Sequence, residues 1–475
     1  MPLYMVETVP NHRCGDNTLD KREFLKASGL ALTGTMLTPF ASSQSSSATD
    51  NTQRPPATRK NWSGNYTYST DRLAMPASVE EVQAIVKRTS KLRALGTRHS
   101  FNAIADSTAE QISLQHLDQM VIDPAARTVT LGAGVTYGKL APYIDSHGFA
   151  LHNLASLPHI SVVGGCATAT HGSGIHNQNL SCACTALELV TANGDRLTLS
   201  RAKDPDHFAG AVVALGALGI VTGLTLDLEP TYQVEQVVYQ DLPFDELEHN
   251  LDTIFGSGYS VSLFTDWQNH RATQVWIKRR VDPKKPYTWP QEFYSARRAT
   301  QKLHPVSGHA AESCTEQLGI PGPWYERLPH FRMNFTPSSG SELQTEYFVP
   351  REHAYQAIRA VEQLRDHITP HLFVTELRTI ASDSLWMSMA YQRPSLAIHF
   401  TWKPEWPVVQ KILPMIEAKL APFEPRPHWA KLFTVPPATL QSRYPRLDDF
   451  KGLLRQHDPE GKFRNAFLES DLYST

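Results

Sequence analysis

Three short stretches late in the chain alternate chemically capable side chains with apolar ones. They are Glu376-Leu377-Arg378, His399-Phe400-Thr401, and Lys431 after His428-Trp429-Ala430. In an extended strand, alternation sends residues two apart to the same face. An ionised Glu376 only accepts hydrogen bonds, Arg378 and Lys431 only donate, and His399 and Thr401 do both. On the residues alone, these stretches read as a cross-strand ion pair and a solvated lysine rather than a binding face.

Two earlier stretches are rich in glycine and small hydroxyl residues. The first is Leu95-Gly96-Thr97-Arg98-His99-Ser100-Phe101-Asn102. A turn of this kind presents successive backbone N–H groups, a concavity that suits a pyrophosphate. It lacks the G-x-G-x-x-G spacing, so a Rossmann fold is not indicated. By itself His99 is better explained as a surface or capping histidine. The second runs from Ala155-Ser156-Leu157-Pro158-His159 through Ser161 and Gly164-Gly165 to Thr168-Ala169-Thr170-His171-Gly172. Val162, Val163 and Cys166 interrupt it where a surface loop would carry Asp, Asn or Lys, which argues for burial. A buried, glycine-rich backbone must approach something closely, and a diphosphate with a flavin ring fits.

These two stretches, with Leu215-Gly216-Ala217-Leu218-Gly219-Ile220-Val221-Thr222, resemble the vanillyl-alcohol-oxidase type of flavoproteins. The resemblance runs from Asn61-Trp62-Ser63-Gly64-Asn65 to Phe463-Arg464-Asn465-Ala466-Phe467, and is strongest to the alditol oxidase and xylitol oxidase branch. It implies an FAD joined through His99. The flavin contacts it implies are Ala94, Leu95, Gly96, Thr97, Arg98, His99, Ser100, Ser156, Ser161, Gly164, Thr168, Ala169, Thr170, His171, Val221 and His428. Where the family commonly reads G-x-G-H-S, this chain has Gly96-Thr97-Arg98-His99-Ser100. If that position has positive φ, an arginine there is strained.

The resemblance also turns Ser156, Glu376, Arg378, His399, Thr401 and Lys431 into a polyol-binding set. A pocket for hydroxyl groups must offer matched donors and acceptors, and an analogue lacking one hydroxyl leaves a buried group unpaired. Arg378 and Lys431 are expected to hold the reacting hydroxyl, with His399 assisting as base. Ser156, Glu376 and Thr401 would fix the remaining hydroxyls. The expected reaction is oxidation of a primary hydroxyl of a xylitol- or sorbitol-like alditol to the aldose. Dioxygen would be the acceptor and hydrogen peroxide the by-product, with Ala155 small enough to leave an oxygen path open. The alternative is an aldonolactone oxidase, or a dehydrogenase using another acceptor.

The surrounding pattern predicts the elements that must hold these groups. Ser78-Val79-Glu80-Glu81 is a capping box opening a helix through Val82, Ile85 and Val86. Strands are expected at Leu92–Leu95, Thr128–Leu131 and Ile220–Leu228, and helices at Tyr137–His147 and His207–Leu218. Ala186–Ala192, Asn193-Gly194 and Arg196–Leu199 read as a hairpin with a type I′ turn. From Val234 onward, strands at Val237–Tyr239, Ser260–Phe264, Gln274–Ile277 and Leu396–Trp402, and a helix at Arg351–Ile368, indicate a second sheet. The fold expected is α+β in two domains. Residues 1–60 would be a disordered export signal and linker, 61–230 an FAD-binding domain, 231–425 a substrate domain with an antiparallel sheet flanked by helices, and 426–475 a segment returning to the first domain.

Bulk properties exclude other classes. A formal net charge of −2 gives no basic field for nucleic acid. Five cysteines in 475 residues are not a disulfide scaffold. No stretch reaches the ~20 apolar residues of a membrane span, and a monomer is expected. His152, His159, His171 and His176 near Cys166, Cys182 and Cys184 match no zinc spacing, so no metal is expected. A non-catalytic sugar-binding module is the other rival. Lys21-Arg22-Glu23-Phe24-Leu25-Lys26 before the uncharged stretch 27–46 resembles a twin-arginine export signal, the alternative being a cytoplasmic protein.

Overall fold

The computed structural model describes residues 58–474. The expected export signal and nearly all of the linker lie outside them. The first sheet system begins with the helix Val79–Arg88, where Ser78 Oγ accepts from the Glu81 N–H at 3.2 Å. Glu81 answers through the Ala77 N–H, one residue earlier than in a strict capping box. Val82 and Val86 bury the inner face of this helix.

Leu92–Ala94 and Leu73–Ala74 pair in parallel with Glu110–Ile112. Beside them lies a five-stranded antiparallel sheet, in the order Met120–Asp123, Thr128–Gly132, Ile220–Asp227, Cys184–Val190, Arg196–Ser200. The helix Tyr137–Ser146 ends at Gly148, whose φ is +83°.

Two expectations fail locally in this first system. The hairpin loop is not a type I′ turn, which needs positive φ at both central residues; among 191–195 only Gly194 has it, at +86°. Gly194 N–H donates to Thr191 O and Thr191 N–H to Asp195 O, a three-residue loop closed by a glycine bulge. The helix expected to reach Leu218 stops at Val212, because the chain turns through Leu215 and Gly216 at φ +54° and +67°. The buried Arg93 guanidinium clamps that turn, donating at 2.7 Å to Leu215 O and to Gly216 O.

The second sheet has ten strands, all pairs antiparallel. Its centre runs Gln233–Pro243, Arg271–Arg280, Ser260–Thr265, Leu372–Ile380, Ser395–Trp402, Leu343–Pro350. One face is apolar, with Tyr347, Val349, Leu377, Ile398, Phe400 and Trp402 buried. The opposite face carries the polar residues at the alternate positions, as a strand requires. The predicted helix Arg351–Ile368 is broken: a 3₁₀ turn at Arg351–His353, a helix at Ala354–Glu362, and a short one at Arg365–Ile368.

The chain after Arg426 bridges both systems. Arg426-Pro427 pairs with Tyr347-Phe348 on the second sheet. Further on, Lys462 O accepts from the Leu92 N–H and Phe463 O from Arg93.

Candidate active site

A cavity of about 690 Å³ separates the loops of the first system from the polar face of the second sheet. Its size is in the range of cofactor and substrate pockets. Every flavin contact implied by the sequence lines it except Ala169. Ala169 has φ +53°, is 1% exposed, and turns its methyl into the core behind the short helix Val162–Ala167.

The turn 96–100 is built for close approach. Leu95 N–H donates to Ile112 O and Phe101 N–H to Ala430 O, but the N–H groups from Gly96 to Ser100 have no acceptor among the described residues. A row of unpaired N–H groups at a cavity wall suits an anionic diphosphate. A Cβ at Gly96 or at Gly164 would lie 2.6 Å from Ser161 Oγ, so a side chain at either position would force that hydroxyl to turn away. Arg98 stands at φ +64°, where the glycine of the common pattern would be relaxed. For a side chain with a Cβ this conformation costs roughly 1–2 kcal/mol.

His99 packs against Trp62 at 4.4 Å and Phe101 at 5.9 Å between ring centroids. Its Nε2 is buried without a partner among the described residues. Burial, then the charge of Lys431, pulls its pKa down to about 3, so the ring is neutral. These features fit a flavin dinucleotide.

The polyol set meets on the other wall because the strand register brings it together. Glu346, His399 and Glu376 sit directly opposite one another on three adjacent strands. Arg378 Nη2 donates to Glu346 Oε1 at 2.7 Å and Nη1 to Ser156 Oγ at 3.3 Å. Its Nε lies 3.6 Å from Glu376 Oε1, so the two charges meet along one strand inside the cavity and not as a cross-strand pair. Lys431 Nζ is 2.6 Å from His399 Nδ1 and 2.9 Å from Glu346 Oε2. Its segment is held by the flavin turn and the strand Leu343–Pro350: Asn102 donates to Trp429 O and Lys431 O, and the His428 N–H donates to Glu346 O. His399 Nε2 is 3.2 Å from Thr401 Oγ1.

Electrostatics fix the charge states. Burial would raise the Glu346 carboxyl, but Lys431, His171 and Arg378 hold it well below the usual range. Burial would likewise raise Glu376, and Arg378 and His330 reverse that. Burial lowers Lys431, with Glu346 opposing. Burial, then Lys431, pulls His399 down to about 4. A charged Lys431 only donates, so His399 Nδ1 accepts and Nε2 carries the ring proton. Both ring nitrogens are therefore engaged, and a base role for His399 requires an exchange of partners at Nδ1.

Sequence reasoning missed Glu346, the centre of this network, and His330, whose Nε2 lies 2.7 Å from Glu376 Oε1. The available signal was a lone carboxylate before the apolar run Tyr347-Phe348-Val349. For His330 no local signal exists, since it lies in a loop after Pro329.

Comparison with known proteins agrees with this geometry. Residues 70–200 match the family described as FAD binding domain, and residues 335–471 that described as D-arabinono-1,4-lactone oxidase. An alditol oxidase from Streptomyces sp. is 48% identical over 87% of this chain and 98% of its own length. L-gulono-1,4-lactone dehydrogenase of Mycobacterium tuberculosis is 26% identical and L-gulonolactone oxidase of Bos taurus 24%, each over 87% of this chain and 98% of the relative. A crystal structure of cholesterol oxidase from B. sterolicum shares the fold, with a TM-score of 0.70 at 14% identity, over 87% of this chain and 96% of that one. Near-complete coverage at 48% identity, on a cavity shaped for a flavin, makes this chain a member of the alditol oxidase branch of the vanillyl-alcohol-oxidase-type FAD-linked oxidoreductases.

Proposed function

We propose that the protein oxidises a primary hydroxyl of an alditol to the aldose, passing the electrons to dioxygen and releasing hydrogen peroxide. The observation that carries this reading is one continuous cavity with a flavin-type cradle on one wall and Glu346, Glu376, Arg378, His399, Thr401 and Lys431 on the other. Bound FAD supplies the two-electron acceptor.

The protein's own work is to bind and polarise the hydroxyl. It enters between Lys431 Nζ and His399 Nδ1, taking the ammonium's hydrogen bond and giving its proton to Nδ1. Nε2–H keeps its bond to Thr401, and Glu346 Oε2, 3.7 Å from Nδ1, stabilises the imidazolium that forms. Arg378 and Lys431, donors only, favour the oxygen in its anionic form. Ser156, Thr401 and Glu376 receive the other hydroxyls. His99, neutral and unpartnered at Nε2, is proposed as the covalent flavin attachment.

The test is a substrate screen of xylitol, sorbitol and gulonolactone with peroxide detection. Turnover of the lactone alone would overturn the assignment in favour of an aldonolactone enzyme. We also propose export, on the Lys21-Arg22 signal; residues 1–60 fused to a folded reporter should carry it out of a twin-arginine-competent bacterium, and a reporter kept inside refutes this.

A further inference from the structure

Outside the set implied by the family, one buried relay reaches the same pocket. Lys278, on the strand Arg271–Arg280, is 1% exposed. Its Nζ contacts three acceptors: Leu328 O, Pro329 O at 3.3 Å and His330 Nδ1 at 3.0 Å. An ammonium has three hydrogens to give, and only the charged form satisfies all three. Burial draws Lys278 down to about 7, with Glu376 opposing.

Because Lys278 donates to Nδ1, the His330 proton sits on Nε2 and is donated to Glu376 Oε1 at 2.7 Å. Phe264, Trp276 and Phe331 surround the ring at 5.5, 5.1 and 6.5 Å, which fixes its plane. The loop is anchored too: the His330 and Phe331 N–H groups both donate to Ser156 O, at 2.8 and 3.2 Å.

We propose that Lys278 and His330 are positioning residues that set the polyol specificity of this site, by occupying Glu376 Oε1 so that Oε2 alone accepts a hydroxyl remote from the reacting carbon. This rests on the alditol reading above. Lys431 lies beside the flavin turn through Asn102 and acts on His99. Glu376 stands on the next strand opposite His399 and bonds through Oε1 to His330, against which Phe264 and Phe331 pack; its Oε2 has no protein partner among the described residues. Without the relay only the 3.6 Å contact with Arg378 Nε holds Oε1, so Glu376 is less fixed and a distal hydroxyl is no longer read at one place.

The test uses the FAD-loaded enzyme and two substrates: xylitol, and 1,2-propanediol, which lacks the distal hydroxyls. In His330→Phe, KM for xylitol should rise by about tenfold with kcat changed less than about threefold, the pattern of lost binding rather than lost chemistry. The diol's kcat/KM should stay within about twofold. His330→Gln puts an amide N–H near Nε2 and should recover most of the xylitol KM. Lys278→Met, which frees the tautomer, should fall between; these two variants decide the matter if His330→Phe does not fold. Equal losses on both substrates, or no rescue by glutamine, overturn the proposal and leave a packing histidine. A wild type that oxidises neither xylitol nor sorbitol instead removes the alditol reading on which it rests.

Discussion

Glu346→Gln is the most informative single change. Glu346 has no exposed side-chain surface and faces two cations, Arg378 at 2.7 Å and Lys431 at 2.9 Å. At an effective dielectric near 20, each contact carries about 6 kcal/mol of attraction, largely offset by the cost of desolvating the ions. The net loss on breaking such a pair from one side is about 3–5 kcal/mol. Glutamine keeps one oxygen acceptor, so the lower end is expected, a fall in Tm of roughly 3 °C for a protein of this size. The sharper consequence concerns Lys431, which burial already pulls downward and which Glu346 holds up. Without that support Lys431 loses its charge at lower pH. The basic limb of kcat/KM should move with it, at unchanged flavin content, because the oxygen then lacks its ammonium donor. Lys431→Arg in the same background keeps a charge that does not titrate and should abolish the limb. A Glu346→Gln enzyme with the wild-type Tm and an unmoved basic limb would refute the central role assigned to this carboxylate.

Further outcomes follow from the same geometry. Acid precipitation should leave yellow flavin in the pellet, His99→Ala should release it, and Arg98→Gly should stabilise the protein by about 1 kcal/mol through relief of positive φ; wild-type flavin that washes out would exclude the bond. Arg378→Ala and Lys431→Ala should each cost roughly 2–4 kcal/mol in turnover while keeping the bound flavin spectrum, and near-normal rates would remove them from the reaction. His99, His330 and His399 are held at about 3, 4 and 4, below the ordinary histidine value, so the unfolded chain binds more protons between about pH 4 and 6.5. Their contribution is full above 6.5 and is lost as pH falls toward 4, on the order of 1 kcal/mol per pH unit for each; a Tm that stays flat from pH 6.5 to 4.5 contradicts this. Ala155 lines the cavity, and if its methyl narrows an oxygen path, Ala155→Gly should speed reoxidation of the reduced enzyme in air-saturated buffer, whereas an unchanged rate leaves it a packing residue.

Much of this protein was legible in the chain itself. Caps and periodicity located the helices Val79–Arg88 and Tyr137–Ser146 and most central strands, because these signals are local. The glycine-rich turns announced closely approaching backbone, and Gly96 and Gly164 both pack against Ser161 Oγ. Alternation correctly put Glu376 with Arg378, and His399 with Thr401, on common faces. What failed locally was overridden by tertiary contacts: Arg93 clamps the turn that cuts short the helix Pro205–Val212. The assembly of the site could not be read in advance. Register alone decides that Glu346 stands opposite His399, and His399 opposite Glu376. Nor does any local pattern tell a solvated lysine from Lys278, or a loop histidine from His330, since burial and partners come from strands and loops some 50 residues apart. Sequence determined which groups were available and how each strand presents them; the fold decided which buried charges meet, and there the interaction of each with its neighbours sets its protonation state and hence its chemistry.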